Sequence, residues 1–347
     1  MLSVPRRLSL LGLLAAVVAL VALTIAPTAP AAKKKAKSKS SVRHYFFKIG
    51  PYKIVPGQNT IGLKEILPSQ KPPIDGYITR MAPNLIYTNG KVPAVDVLHL
   101  HHGVWVNFNR PAPTSGAPFQ PFFAVGEEKT IFELPKGYGY DYKKSDRLYF
   151  NEMIHNLTPE PTTVYATWEV DIVPKNSPAA KGMRAVRPIW MDVQNGSAYP
   201  VFDAKRGDGI KGKFTYPDQA DNPYGAGKPK NLWSVDRDGT LVATAGHLHP
   251  GGLWDDLTLT RPGAGATAKR SGKDKPTLYG TGDTVRLFRS KAKYYEPAGA
   301  VSWDVSMTVT PKNWLANVNK GDTLRVSTTY DTRNASWYEG MGIMVAY

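Results

Sequence analysis

Residues 98–105 read Leu-His-Leu-His-His-Gly-Val-Trp, and this stretch holds three of the seven histidines in a chain of 347 residues. Its alternation of residue types predicts a β-strand, in which His99 and His101 point to the same face. A second pair, His247 and His249, lies in a Gly-His-Leu-His-Pro-Gly-Gly segment. Neutral imidazole is the commonest metal ligand in proteins, so this clustering predicts a metal-binding protein.

The rest of the sequence predicts an all-β fold. Short runs of β-branched and aromatic residues are separated by Gly, Pro, Asn and Asp, as in sandwiches and barrels. No window longer than about ten residues has a helical period. The predicted strands are residues 43–49, 76–81, 95–106, 129–132, 147–156, 162–173, 185–192, 241–244, 256–259, 284–289, 301–310, 323–329 and 341–347.

A loop-forming segment divides this β-rich body. Residues 174–183 are rich in Pro, Lys, Ala and Gly, and the parts on either side are each of normal β-sandwich size. We therefore predict one domain at residues 44–175, a linker at 176–184 and a second domain at 185–347. Each domain has its own histidine cluster.

The start of the chain has the pattern of a secretory signal. Arg6 and Arg7 precede an almost unbroken apolar run at residues 8–25, and small residues follow. We predict a signal peptide over residues 1–32 and a secreted or cell-surface protein. An uncleaved membrane anchor is the alternative, because the run is long enough to span a bilayer.

The net charge of +16 is concentrated near the start of the chain. Residues 1–43 hold eight of the 44 Lys and Arg residues and no acidic residue. Residues 33–43 are predicted to be a disordered basic tail that can contact an acidic cell surface. The body lacks the interleaved basic and aromatic pattern of nucleic-acid-binding proteins, so we expect no nucleic-acid partner.

The absence of cysteine restricts the metal chemistry. It excludes thiolate zinc sites, blue-copper sites and iron–sulfur clusters. A zinc hydrolase stays open as an alternative. It would need a carboxylate at ligand distance, but neither histidine pair is followed closely by Asp or Glu, and there is no His-Glu-x-x-His motif. Asp255 and Asp256, further along, are readable as ordinary turn residues.

The order of these residues resembles that in a known family. The pair His101-His102, a third histidine at position 155, the His247-x-His249 pair and Met341 in the last predicted strand are similar to the copper type II, ascorbate-dependent monooxygenases. These enzymes hydroxylate peptidylglycine and dopamine. The chain also resembles the plant stress-up-regulated nodulin family, in its Leu-His-His, its His-x-His-x-Gly-Gly and its ending. A thioether among imidazoles favours Cu(I).

The resemblance implies two tandem, jelly-roll-like antiparallel β-sandwich domains that face a solvent-filled cleft. It implies that His101, His102 and His155 bind a first copper, which stores and delivers an electron. It further implies that a second copper binds dioxygen and leads to attack on a C–H bond, with ascorbate or a similar reductant as co-substrate. The residues implied for this second, catalytic site are His247, His249 and Met341.

The adjacent pair does not fit a regular strand. His101 and His102 would point to opposite faces, so a bulge, a strand end or the use of different ring nitrogens is required. His99 is therefore the alternative ligand, or a group that contacts one. Asn156, Tyr338 and Glu339 flank proposed ligands and are candidates for orienting them.

The sequence departs from the peptide-hydroxylating enzymes at positions implied to contact substrate. Ala245 stands where those enzymes have an arginine that binds a carboxylate, and Ile343 and Val345 are apolar. We therefore do not expect a glycine-extended peptide, and an apolar small molecule or a carbohydrate-like molecule remains open. The alternative function is a secreted copper-binding or cell-surface interaction protein without turnover. The sequence does not predict the oligomeric state.

Overall fold

Alternating apolar and polar residues form strands throughout the described part of the chain. The described residues contain no α-helix, which confirms the all-β prediction. Their only helical segments are two short 3-10 turns, Pro68–Gln70 and Pro178–Ala180. The computed structural model describes residues 41–126, 130–194, 200–223, 231–261, 270–271, 277–278, 284–297, 299 and 304–347.

Two predictions lie wholly or mostly outside these residues. They are the signal peptide at residues 1–32 and the basic tail at 33–43, of which only residues 41–43 are described. Across the described ranges, no helix has the length and apolar character needed to cross a membrane.

The first half of the body contributes ten strands to the described structure. They are β1 (Arg43–Ile54), β2 (Gly62–Glu65), β3 (Gly76–Tyr87), β4 (Leu98–Asn107), β5 (Gln120–Gly126), β6 (Phe132–Glu133), β7 (Tyr138–Tyr142), β8 (Leu148–Asn156), β9 (Thr162–Pro174) and β10 (Arg184–Val186).

These strands form two sheets around one hydrophobic core. One sheet has the order β1-β9-β3-β7-β10, with β6 paired to β3, and the other has the order β2-β8-β4-β5. Trp105 on β4, Phe150 on β8 and Trp168 on β9 are completely buried between them. Because successive side chains of a strand point to opposite faces, the face of β4 and β8 that is turned away from this core is available for the histidines.

The second half contributes the remaining described strands. They are β11 (Ile189–Asp192), β12 (Val201–Ala204), β13 (Lys213–Tyr216), β14 (Leu232–Ser234), β15 (Gly239–Leu241), β16 (Thr244–Leu248), β17 (Gly252–Thr260), β18 (Arg270–Ser271), β19 (Thr277–Leu278), β20 (Thr284–Tyr294), β21 (Val305–Met307), β22 (Leu315–Val318), β23 (Thr323–Asp331) and β24 (Trp337–Ala346).

A second hydrophobic core lies among these strands. The largest sheet has the order β13-β23-β17-β20-β19, with β14 and β21 at its sides, and it packs with a sheet in which β11, β12 and β16 all pair with β24. A third sheet has the order β15-β22-β18. Leu257, Leu287, Leu324 and Val326 are completely buried in this core.

Strand β24 belongs to both cores. Met341, Ile343 and Val345 on one face pack in the first core, whereas Met344 and Ala346 on the other face pack in the second. The first core also includes Val242, Ala243 and Tyr347. Apolar residues from beyond the predicted linker therefore complete the core of the first half.

Most predicted strands correspond to observed ones, with shifted ends. The predicted strand at 185–192 is two strands, and the first of these, β10, pairs in parallel with β7 of the first half. The sheet of the first half thus extends past residue 184, and the division into two domains at residues 176–184 stays a prediction. Residue 129 and residues 301–303 of the predicted strands lie outside the described residues.

Replacement of Tyr347, which directly follows β24, by alanine tests the packing of this residue in the first core. The Tyr347 ring is buried, its centroid is 4.7 Å from that of Phe132, and its hydroxyl donates to the Phe122 carbonyl at 2.6 Å. We expect Tyr347→Ala to lower the free energy of unfolding by about 3–5 kcal/mol, as for other buried aromatic side chains. Denaturant titration measures this loss.

The matched control is Tyr338→Ala, near the start of β24. Its side chain is 77% exposed, so the change should stay within about 0.5 kcal/mol. Equal losses for the two variants would contradict the packing described for the end of β24.

Candidate metal centre

A β-bulge in β4 brings adjacent histidines to one site. Strand β4 pairs with β8 so that His99 lies opposite His155 and Leu100 opposite Ile154, but the next pair is His102 with Met153. His101 is therefore the extra residue of the bulge. Of the three explanations that the sequence left open for the adjacent pair, the structure has the bulge.

Three histidines form a compact group at this bulge. The ring nitrogens available as ligands on His99, His101 and His155 all lie within 4.8 Å of one another. The His101 ring is stacked on that of His155, with centroids 4.4 Å apart, and the centroids of His99 and His155 are 5.1 Å apart. His99, which the sequence gave only as an alternative ligand, thus belongs to this group.

The second pair of histidines is held by the pairing of β16 with β24. His247 lies opposite Ile343 and Leu248 opposite Gly342. Since residues two apart share a face, His249 and Met341 continue on the same face as His247 and Ile343. Met341 is buried, and this face is the one turned towards the first core.

The two histidine groups are in contact with each other. The ring centroids of His101 and His249 are 4.4 Å apart, and those of His247 and His249 are 5.3 Å apart. His102 lies 6.0 Å from His101 by the same measure. The resemblance implied two sites on opposite sides of a cleft, whereas the six histidines form one continuous cluster.

Most of the cluster is shielded from solvent, and burial favours the neutral form of five of its histidines. His99, His101, His102, His247 and His249 are each only 2–6% exposed. Burial lowers the pKa of His99 and of His102 to about 4, and it lowers the pKa of His101, His155 and His249 as well. The neighbouring imidazoles add to the shift, because a second positive charge nearby is unfavourable. Neutral imidazole is the form that binds a metal.

Hydrogen bonds from outside the cluster orient four of these rings. His99 Nδ1 donates to the Val95 carbonyl at 2.8 Å, and His249 Nδ1 donates to the Glu339 carbonyl at 2.7 Å. His155 Nε2 faces Asn59 Oδ1 at 3.1 Å, and His102 is hydrogen-bonded to the side chain of Asn151. Metal-binding histidines have such partners, which fix the tautomer and the ring orientation.

The hydrogen bond to the Val95 carbonyl fixes the tautomer of His99 in the group of His99, His101 and His155. A carbonyl oxygen can only accept, so the proton of neutral His99 is on Nδ1 and its Nε2 presents a lone pair. His99 Nε2 and His155 Nδ1 are 3.2 Å apart, so His155 Nδ1 donates a hydrogen bond to this lone pair.

Tyr330 holds the backbones of two proposed ligands together. Its hydroxyl accepts from the His249 amide at 3.1 Å and from the Met341 amide at 2.8 Å, and it donates to the Met341 carbonyl at 2.8 Å. Tyr330 is completely buried on β23. Sequence reasoning missed this residue, because its aromatic character suggested only core packing.

The glycines after His249 form a tight turn. The Gly252 amide donates to the His249 carbonyl at 3.1 Å. Gly251 has a φ of +90°, and a Cβ there would lie 2.2 Å from the ring of Trp337. Gly251 is thus required both by backbone conformation and by the close packing of Trp337 at the start of β24.

Two small cavities lie beside the cluster. One is next to His99, and the other reaches His247 and has a volume of about 20 Å³, which is room for one water-sized molecule. Most of the second cavity is apolar. Its lining is formed by Phe123, Ala124, Thr130, Phe132, Ala245, Gly246, His247, Ile343, Val345 and Tyr347.

The other candidate residues have mainly structural environments. Asp255 and Asp256 are buried on β17 and are not turn residues, and Asp256 forms a bidentate ion pair with Arg289. The Asn156 side chain donates to backbone carbonyls, and Tyr338 is exposed. Glu339 does orient a proposed ligand, through its backbone carbonyl. His44 is exposed and pairs with Asp171, away from the cluster.

A scan of protein-family models and a search of curated proteins gave no match to this chain. The family resemblance described above therefore stays a prediction.

Tyr330→Phe tests whether the Tyr330 hydroxyl holds the His249 and Met341 backbones together. The change keeps the ring but removes the acceptor of two buried amides, and each unsatisfied buried donor costs about 1–3 kcal/mol. We expect a loss of unfolding free energy in this range, measured by denaturant titration. Tyr295→Phe is the control, because the Tyr295 hydroxyl bonds to Ser306 at the surface. An equally large loss of unfolding free energy in the control would contradict this role of the Tyr330 hydroxyl.

The buried histidines predict a pH dependence for the metal-free protein. A histidine of the unfolded chain has a pKa of about 6.5, whereas that of folded His99 or His102 is about 4. Between these values the unfolded state binds more protons, so stability falls as the pH falls from 6.5 towards 4. Each of these residues contributes up to about 3 kcal/mol to this loss.

Unfolding titrations at several pH values measure this dependence. We expect His99→Gln to reduce this dependence. An identical pH profile for His99→Gln and the unchanged protein would contradict the assignment.

Proposed function

We propose that the protein is an exported copper-dependent oxidoreductase of the monooxygenase type, which uses dioxygen and an external reductant such as ascorbate. The observation that supports this proposal best is the convergence of six histidines from both halves of the body into one buried cluster. Surface histidines have no physical reason to converge in this way. Five of the six rings are buried.

The donor set fits copper. The three-histidine group contains only imidazole nitrogens, with no carboxylate. By the alternation of β24, Met341 shares the face of Ile343, which lies opposite His247, so its thioether is the candidate soft ligand. Imidazole with thioether favours copper over metals that prefer oxygen ligands, and Cu(II) forms the strongest complexes of the first-row divalent metals. Copper bound here would supply one-electron redox chemistry and the activation of dioxygen.

The protein's own groups would prepare this chemistry. The carbonyls of Val95 and Glu339 hold His99 and His249 with Nε2 free of a proton. The buried surroundings exclude bulk water, which protects reactive species from side reactions. The apolar cavity beside His247 suits a small apolar molecule such as dioxygen.

The same cavity bears on the organic substrate. Ala245, Ile343 and Val345, which the resemblance implied as substrate-contact positions, all line it. No charged side chain is among its lining residues in the described structure. This lining favours a small apolar substrate over a carbohydrate-like one. Its size requires the cavity to widen before a substrate larger than a water-sized molecule can enter.

A second candidate function is copper binding without turnover. The burial of the cluster favours it, because a centre whose histidines are mostly 2–6% exposed is well suited to hold an ion and poorly accessible to large substrates. For either function, export of the protein and contact of the basic tail with an acidic cell surface remain part of the proposal.

Oxygen consumption separates the two functions. The purified protein, loaded with copper, is expected to consume dioxygen when ascorbate is added. His249→Ala and Met341→Ala should abolish this uptake, because each removes a proposed ligand. His44→Ala, which changes the histidine outside the cluster, should leave it unchanged.

Other outcomes have defined meanings. Bound copper without reductant-dependent uptake would favour the copper-binding protein. Bound zinc with no affinity for copper would overturn both proposals and favour the zinc hydrolase.

A further inference from the structure

The cross-strand pair His99 and His155 is spaced as two ligands of one ion. These residues lie directly opposite each other on β4 and β8, and His99 Nε2 is 3.2 Å from His155 Nδ1. Two imidazole nitrogens, each about 2.0 Å from a shared ion, are about 2.8 Å apart in square-planar geometry and about 3.3 Å apart in tetrahedral geometry. The observed distance lies between these values, so one ion can bind both nitrogens with little change in their separation.

His101 adds a third ligand beside this pair. It is the extra residue of the bulge, and its ring is stacked on that of His155 with centroids 4.4 Å apart. The candidate ligand nitrogens of the three residues all lie within 4.8 Å of one another. His99 and His101 are buried, whereas His155 is half-buried, so an ion reaches this set from solvent on the side of His155.

His102 lies one row further along the sheet. It pairs with Met153, two residues before His155 on β8, which corresponds to a displacement of about 6.6 Å along the strand. Among the described residues, the group of three metal-ligand side chains with mutually close nitrogens contains His99 and His101 but not His102. The register of β4 against β8 therefore selects His99 where the resemblance implies His102.

We propose that one metal ion is bound by His99, His101 and His155, without His102, and that Asn59 positions His155 for this ion. The identity of the ion as copper rests on the proposed function, whereas the choice of ligands rests on the geometry of the two strands. The resemblance implies a different set, in which His102 takes the place of His99.

Asn59 supplies the acceptor that this binding mode needs. In the metal-free protein, His155 Nδ1 donates to His99 Nε2. An ion bound to both nitrogens replaces this hydrogen bond, and the neutral His155 ring then carries its one proton on Nε2. Asn59 Oδ1 lies 3.1 Å from His155 Nε2 and accepts that proton in a hydrogen bond. The proton only changes nitrogen, so the charge of the ring is the same before and after binding.

A backbone hydrogen bond holds the loop that carries Asn59. This loop lies between β1 and β2, and the Gly57 amide donates to the Asn156 carbonyl at the end of β8 at 3.1 Å. Asn59 is thereby fixed beside the strand that carries His155. Partners of this kind hold a metal-binding histidine in one tautomer and one orientation.

Titration with Cu(II) against a competing chelator tests the ligand set. The full-length protein carries His247→Gln and His249→Gln as a background, so that the remaining clustered histidines are those of the first half. We expect this background to bind one copper. Adding His99→Gln or His155→Gln should weaken binding by more than about 100-fold, because a ligand is lost and not merely a group that orients one. Adding His102→Gln should leave the copper bound.

Nitrogen hyperfine couplings in electron paramagnetic resonance count the bound imidazoles directly. We expect three in the background and three after His102→Gln, but two in any copper that His99→Gln retains. His44→Gln, outside the cluster, is the control and should change neither affinity nor spectrum. Circular dichroism verifies each fold, and Asn replaces Gln at any position where the Gln variant does not fold.

The opposite pattern would overturn the ligand set. Loss of copper or of one imidazole on His102→Gln, or retention of all three imidazoles on His99→Gln, would exclude it. If the unchanged protein binds copper and consumes dioxygen with ascorbate, the proposed function stands despite such a result. If the unchanged protein binds no copper, both proposals fail.

Substitutions of Asn59 test its role in positioning His155. We expect Asn59→Leu to weaken Cu(II) binding about tenfold, and Asn59→Asp, which keeps an acceptor oxygen, to retain most of the affinity. Thr60→Ala, at an exposed neighbour in the same loop, is the matched control. Equal affinities for Asn59→Leu and the unchanged protein would overturn this role.

The tautomer of His155 provides a readout that a merely structural role of Asn59 would not change. Zn(II) also binds imidazole and is diamagnetic, so nuclear magnetic resonance of ring nitrogens in the zinc-loaded protein identifies the ligand atom. We expect the metal on Nδ1 of His155 and the proton on Nε2. Metal on Nε2 would overturn the positioning by Asn59.

Discussion

The alternation of side chains along β24 is the constraint on which the rest of the structure depends. One face of this strand packs in the core of the first half and the other face in the core of the second. Its pairing with β16 then fixes which way His247 points, because Ile343 lies opposite it on the face turned to the first core. A register shift of one residue would move His247 into the other core. The position of His247 in the cluster therefore depends on the register of β24, and the packing of β24 in both cores fixes that register.

The bulge in β4 has the complementary role in the first half. A regular strand would direct His101 and His102 to opposite faces, and one of them would enter the core that contains Trp105 and Phe150. The inserted residue lets both join the cluster while the pairing with β8 resumes at Met153. Other strand pairs also have register shifts, for example between Ile78 and Arg80 on β3 and between Trp105 and Val106 on β4. The bulge at His101 differs from these in that it places a histidine in the cluster.

Some features of this molecule follow from the sequence, and the reasons are local. Period-two patterns and turn residues predicted the strands around residues 43–54, 148–156 and 323–331 well, because each strand carries its own pattern. The clustering of histidines was equally visible. What sequence could not provide was the contact between His101 and His249, since it depends on how distant strands pack. Tyr330 escaped notice for a related reason: a hydroxyl that clamps two backbones looks, in sequence, like any buried tyrosine.

The position of β24 in the sequence has a consequence for how the protein is made. It follows all the other described strands, and it supplies both the partner strand of His247 and the carbonyl that orients His249. A chain that emerges from the ribosome or a translocon in order presents its earlier histidines long before this strand arrives. Until then, those histidines can form no complete cluster. Completion of the histidine cluster therefore depends on the last of the described strands to be synthesised.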